Sequence, residues 1–150
     1  MKQQSNSCMI LNLLQHFRKL DWEKVLPGIT QAEYLVLSAI HFGQKKRPDQ
    51  PGIYVSVLAE HLMTSVSMVS KLLKTLEEKN WILRTVDKNS RRNTFVSLTS
   101  EGKKMLSAAD AAMDEINRAV ASKMGEESLQ QLIANVSLLL TSYEDVLGSI

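Results

Sequence analysis

The sequence predicts a mainly α fold with a small β-hairpin wing, on three observations. First, Val66, Val69, Leu72, Leu73 and Leu76 recur at three- to four-residue spacing, the period of a helix with one buried stripe. Second, residues 81–86 and 94–98 carry the β-branched and aromatic content of strands, joined by the polar tip Asp87-Lys88-Asn89-Ser90-Arg91-Arg92. Third, two long amphipathic patterns follow Ser100, one through Met105, Ala109, Ala112, Met113, Ile116, Val120 and Met124, the other through Leu129, Leu132, Ile133, Val136, Leu139, Leu140, Tyr143, Val146 and Leu147. A helix followed by a basic-tipped hairpin is a winged helix-turn-helix. The second long pattern is close to a heptad seam, and two helices this apolar in a small chain call for a helical dimerisation region.

Each element has its own local cause. Residues 6–20 suit a first helix, with Met9, Leu13, Phe17 and Leu20 on one stripe widened by Ile10 and Leu14, running on through Asp21-Trp22 until Pro27-Gly28. Thr30 with Glu33 three residues later is a capping-box arrangement opening a helix through about Phe42, with Tyr34, Leu37, Ile40 and His41 facing inward. The breaker-rich stretch 43–52 reads as a mobile basic loop. Ile53-Tyr54-Val55 suits a brief strand before a short helix to Met63, whose Val57, Leu58, Ala59 and Leu62 pack beneath the helix at 65–79. Thr64-Ser65 is the polar break before that helix, and Gly125 separates the last two.

The chain has 150 residues, 44% apolar and 23% charged, which is the composition of one globular domain spanning 1–150. Within it, 30–99 would form the winged lobe, and 6–26 with 100–148 the dimerisation region. The apolar runs are short and the N-terminus lacks a signal-peptide pattern, so the expectation is a cytoplasmic protein with no membrane segment. A lone cysteine, Cys8, excludes an internal disulfide and any multi-cysteine zinc module. His16, His41 and His61 fall on three separate helices without a short-range ligand pair, so no metal and no cofactor is expected. No nucleophile–base arrangement, paired carboxylates or phosphate-cradling glycine loop is recognisable, which argues against an enzyme.

Charge is more informative in its distribution than in its net value of +2. Residues 65–92 carry +4 and residues 100–150 carry −4. A basic centre beside an acidic segment suits a protein that meets double-stranded DNA through one part only. Ser67, Ser70, Lys71 and Lys74 share a helix face away from the apolar stripe, where phosphates and base edges could be met. Ser65, Met68, Lys88, Arg91 and Arg92 complete the candidate DNA-contacting set, Met68 as a partner for a thymine methyl. Asp87 reads as a residue that orients an arginine.

These segments together resemble the MarR family of multiple-antibiotic-resistance regulators over about residues 6–148. Thr30-Gln31-Ala32-Glu33 is similar to the family's helix-2 opening, Leu58-Ala59-Glu60-His61-Leu62 to its helix 3, and residues 67–76 to its recognition helix. The tip resembles the family's Asp-x-x-Asp-Arg-Arg wing pattern with Ser90 in place of the second aspartate, and Leu98-Thr99-Ser100-Glu101-Gly102 its exit into the next helix. Asn80 stands where the family usually has glycine, and Tyr54 where a capping Thr or Ser is common.

The resemblance implies a homodimer that lays the helix at 65–79 in a major groove and the wing, Arg92 foremost, against the adjacent minor groove. It implies a repressor or activator acting by occupancy of a pseudo-palindromic operator. Small aromatic or phenolic effectors enter a crevice in relatives, and Phe17, Trp22, Tyr34 and His41 are the candidates for lining one here. Two alternatives stand beside this reading. One is a thiol-based redox sensor acting through Cys8, although the tyrosines such regulators use are replaced by Asn12 and Gln31; the other is a protein-interaction module that has lost DNA binding.

Overall fold

The computed structural model describes residues 5–26, 28–90 and 93–149. In chain order the elements are α1 (Asn6–Arg18), a 3-10 turn (Trp22–Lys24), α2 (Gln31–Lys46), β1 (Ile53–Tyr54), α3 (Val55–His61), α4 (Val66–Glu78), β2 (Ile82–Val86), β3 (Thr94–Leu98), α5 (Ser100–Met124) and α6 (Glu126–Gly148). The chain divides into two compact units, residues 1–110 and 111–150. No helix among the described residues is long and apolar enough to cross a membrane.

The first unit is built around a three-stranded antiparallel sheet of order β1-β3-β2. Its core is made by Val36, Leu37 and Ile40 from α2, Leu58 from α3, Val69, Leu73 and Leu76 from α4, and Ile82 and Val96 from the strands. The capping box is formed in both directions: the Thr30 hydroxyl accepts from the Glu33 N–H, and the Glu33 carboxylate accepts from the Thr30 N–H. Asn80 adopts a left-handed backbone, φ 59°, which asparagine tolerates in place of glycine. Its N–H closes back on the Glu77 carbonyl, turning the chain from α4 into β2.

Several local expectations are corrected. The first helix stops at Arg18: the amides of Lys19 and Leu20 bond three residues back, and Asp21, at ψ 80°, has left the helical region. Trp22 therefore begins a separate turn. Helix α2 continues four residues past Phe42, so residues 43–46 are helix, not loop. Gly43 is tolerated there because the helix presses on β1, where any Cβ would meet the Ile53 side chain. Gln44 accepts the Leu98 N–H, and the helix ends only at Arg47, which Pro48 disfavours in helical geometry. On the inward faces, Val36 and Ala39 are buried while Tyr34 and His41 are half-exposed. Val57 and Val66 lie on exposed surface and not on the buried stripes of their helices.

In the second unit, Gly125 at φ 87° ends α5 and starts α6, a conformation glycine reaches without strain. None of its described residues is buried in the single chain, although Leu132, Ile133, Val136, Leu140, Tyr143, Val146 and Leu147 repeat along α6.

Candidate nucleic-acid interface

Helix α4 owes its start to Ser65, whose side chain accepts the Met68 N–H at 3.2 Å. With Val69, Leu73 and Leu76 turned into the core, Ser67, Met68, Lys71 and Lys74 are left on exposed surface and Ser70 is half-buried beside them. Val66, half-exposed in the first turn, borders the same surface. Its apolar character had suggested core, so sequence periodicity could not find it.

The cations of the basic segment divide into two kinds. Arg84 donates from Nη2 to the Ser70 carbonyl at 3.1 Å and places Nε 3.6 Å from the Glu77 carboxylate, tying β2 to α4. Lys79 donates to Glu33 Oε1 at 2.7 Å and sits 4.5 Å from the centre of the Trp81 ring. Both are spent on internal structure. Lys71, Lys74 and Lys88 are exposed. Arg91 and Arg92 lie outside the described residues.

At the base of the hairpin, Asp87 is 8% exposed and every polar group it carries is used. Its N–H donates to the Asn93 carbonyl and its carbonyl accepts from the Ser90 N–H. Oδ1 accepts from the Asn89 N–H at 2.9 Å, and Oδ2 accepts from the Tyr54 hydroxyl at 2.7 Å. The Tyr54 bond and the Asn89 N–H hold the Asp87 carboxyl below its ordinary value, and the same carboxylate raises the phenol of Tyr54. Among the described residues Asp87 thus accepts from a tyrosine and from its own turn; the expectation that it orients an arginine concerns Arg91 and Arg92, which lie outside the described residues. Tyr54 provides no side-chain cap to α3.

The four effector-lining candidates each have a partner of their own. Phe17 meets Trp22 edge-on at 5.3 Å, Tyr34 donates to Asp110 at 3.0 Å, and His41 packs against Phe42. None of the four lines the cleft that opens between the end of α2, β1 and α3, where Phe42, Lys46, Arg47, Tyr54 and His61 stand. Cys8 is exposed on the first turn of α1, its Sγ 3.8 Å from the Asn12 amide nitrogen. Among the described residues no group of three or more His, Cys, Asp or Glu side chains could hold a metal.

Comparison with known proteins agrees with this architecture. The model of the MarR family matches residues 29–94. The transcriptional regulator HosA of Escherichia coli O111:H- is 31% identical over 107 residues, covering 71% of this chain and 74% of that protein. Among solved structures, the Staphylococcus aureus MepR–DNA complex superposes with a TM-score of 0.76 at 26% identity, covering 93% of this chain and 99% of MepR. MepR bound to ethidium bromide superposes at 0.54, again at 26% identity, over 95% and 99% of the two chains.

Proposed function

The chain belongs to the MarR family, and from that premise we propose that it is a cytoplasmic homodimeric transcriptional regulator, not an enzyme, acting as a repressor that a small-molecule ligand releases from DNA. Helix α4 enters a major groove with Ser65, Ser67, Met68, Ser70, Lys71 and Lys74. The hairpin brings Lys88, with Arg91 and Arg92, toward the neighbouring minor groove. The observation that carries this reading is the division of labour on α4: one face closes the core, and the other leaves two lysines and a serine exposed beside a hairpin.

The physics of such a surface is twofold. Lysines that neutralise phosphates release counterions, so affinity falls steeply with salt. Side chains at base edges then supply sequence discrimination in the major groove. A two-fold dimer would read a pseudo-palindrome with half-sites about one DNA turn apart, roughly 34–36 Å. MepR, crystallised with DNA and with ethidium bromide, supports both the DNA and the small-ligand parts of the reading.

A mobility-shift titration with genomic fragments at increasing salt tests it. The expected result is a discrete complex on a subset of fragments that weakens as salt rises. A chain that leaves every fragment unshifted at low salt is an interaction module instead.

A further inference from the structure

We propose that Tyr54 is a positioning residue for the hairpin wing: its hydroxyl, bonded to Asp87, sets how the wing is held against the rest of the DNA-binding unit and therefore what the wing touches. The inference deepens the DNA-binding reading above and rests on it.

The sheet itself explains why such a tie is needed. β1 pairs with β3 through two residues only, Ile53 with Val96 and Tyr54 with Phe95. Beyond that pair, β2 and β3 continue alone through Val86 and Thr94 into the turn. A two-stranded ribbon without a third strand or a packed face is marginal by itself and twists readily. Tyr54 is thus the last residue of the sheet's third strand before the hairpin projects unsupported.

Its side chain extends that support by one step. The ring stacks on Phe95 with centroids 4.2 Å apart and planes 20° apart, which fixes the direction of the phenol. The hydroxyl then reaches the Asp87 carboxylate across a separation of 33 residues. Because the other oxygen of that carboxylate holds the Asn89 N–H, one side chain connects the turn's internal geometry to the β1–α3 junction. A charge-assisted hydrogen bond to a carboxylate sheltered from water is strong enough to bias a hairpin's attitude. A residue at the start of a helix would ordinarily serve as its cap; here Tyr54 leaves α3 without a side-chain cap bond, and its hydroxyl is turned to the wing.

Tyr54→Phe tests the proposal, since it keeps the ring stacked on Phe95 and removes only the hydroxyl. The probe is a duplex selected from random DNA by the wild-type protein. Tyr54→Phe should bind it about tenfold more weakly, the scale of one charge-assisted hydrogen bond. Hydroxyl-radical protection should fall at the positions flanking each half-site and stay unchanged in the major-groove positions beneath α4. In an Asp87→Ala background, adding Tyr54→Phe should weaken binding no further. Wild-type affinity and footprint in Tyr54→Phe would overturn the inference and leave the DNA-binding reading standing, as would an equal loss of protection beneath helix and wing. Failure of the wild-type protein to select any duplex would overturn the DNA-binding reading and the inference with it.

Discussion

Glu33 uses one carboxylate for two separate tasks. Oε2 closes the capping box on the Thr30 N–H, while Oε1 receives Lys79, a residue 46 positions later at the end of α4. Burial pushes the carboxyl up, but Lys79 and the Thr30 N–H together outweigh it, so the pKa lies below its ordinary 4.5. For a carboxylate lowered by folding, the stabilisation is fully present above the unfolded value and disappears as pH falls through the folded one. Glu33→Gln should therefore cost about 1–2 kcal/mol near neutral pH, the scale of a cap plus a charged hydrogen bond. Urea melts should also show the variant losing less stability than wild type as pH is lowered through and below about 4.5, the ordinary value for glutamate. Parallel pH profiles for the two proteins would mean that the carboxylate is not linked to folding in this way.

Lys71 on α4 is exposed whereas Lys79 at its end is held by Glu33, and salt dependence of binding would separate the two. Lys71→Ala should lose about 1–3 kcal/mol of operator affinity if it reads a base, or flatten the log–log salt slope by about one unit if it neutralises a phosphate. Lys79→Ala should lower the melting temperature instead, since its ammonium is held by Glu33 and the Trp81 ring. A salt slope flattened equally by both variants would dissolve the distinction. At the start of α5, Gly102 lies against the carbonyl of Trp81, and any Cβ there would collide with that backbone. Alanine is the better helix former by about 1 kcal/mol. Even so, Gly102→Ala should destabilise the fold by about 1–3 kcal/mol through overpacking. A thermal midpoint equal to or above wild type would show that this junction yields.

Among the described residues, helices α1 and α6 leave their apolar side chains uncovered in the single chain. Helix α1 buries none of its residues, with Leu11, Leu13 and Phe17 all more than half-exposed, and α6 buries none either. Monomeric proteins rarely expose apolar patches beyond a few hundred Å². A second copy of the chain is the occupant expected of these faces, by the two-fold association usual for homo-oligomers. Sedimentation at micromolar concentration should therefore give a dimer, and a chain cut after Gly125 should fail to remain in solution. A stable monomer from the intact chain would refute the dimer.

The kind and order of the elements and most of the buried stripe of α4 were legible in the sequence because they depend on residues only two to four positions apart. The Thr30 box, the stripe through Val69, Leu73 and Leu76, the strands on either side of the tip and the break at Gly125 are all local events. What needed the tertiary structure was the assignment of polar groups to partners far along the chain. Spacing grouped Lys79 and Arg84 with the basic segment, and only the fold commits them to Glu33 and to the Ser70 carbonyl. Gly43 sits inside α2, where β1 packs against it, and Tyr54 is the poor cap its side chain implies, with its hydroxyl committed instead to Asp87. Helical and strand periods arise from backbone geometry that every segment carries within itself. The partner of a buried charge or hydroxyl is chosen by whatever the packed chain brings within about 3 Å, and no spacing along the sequence encodes that distance.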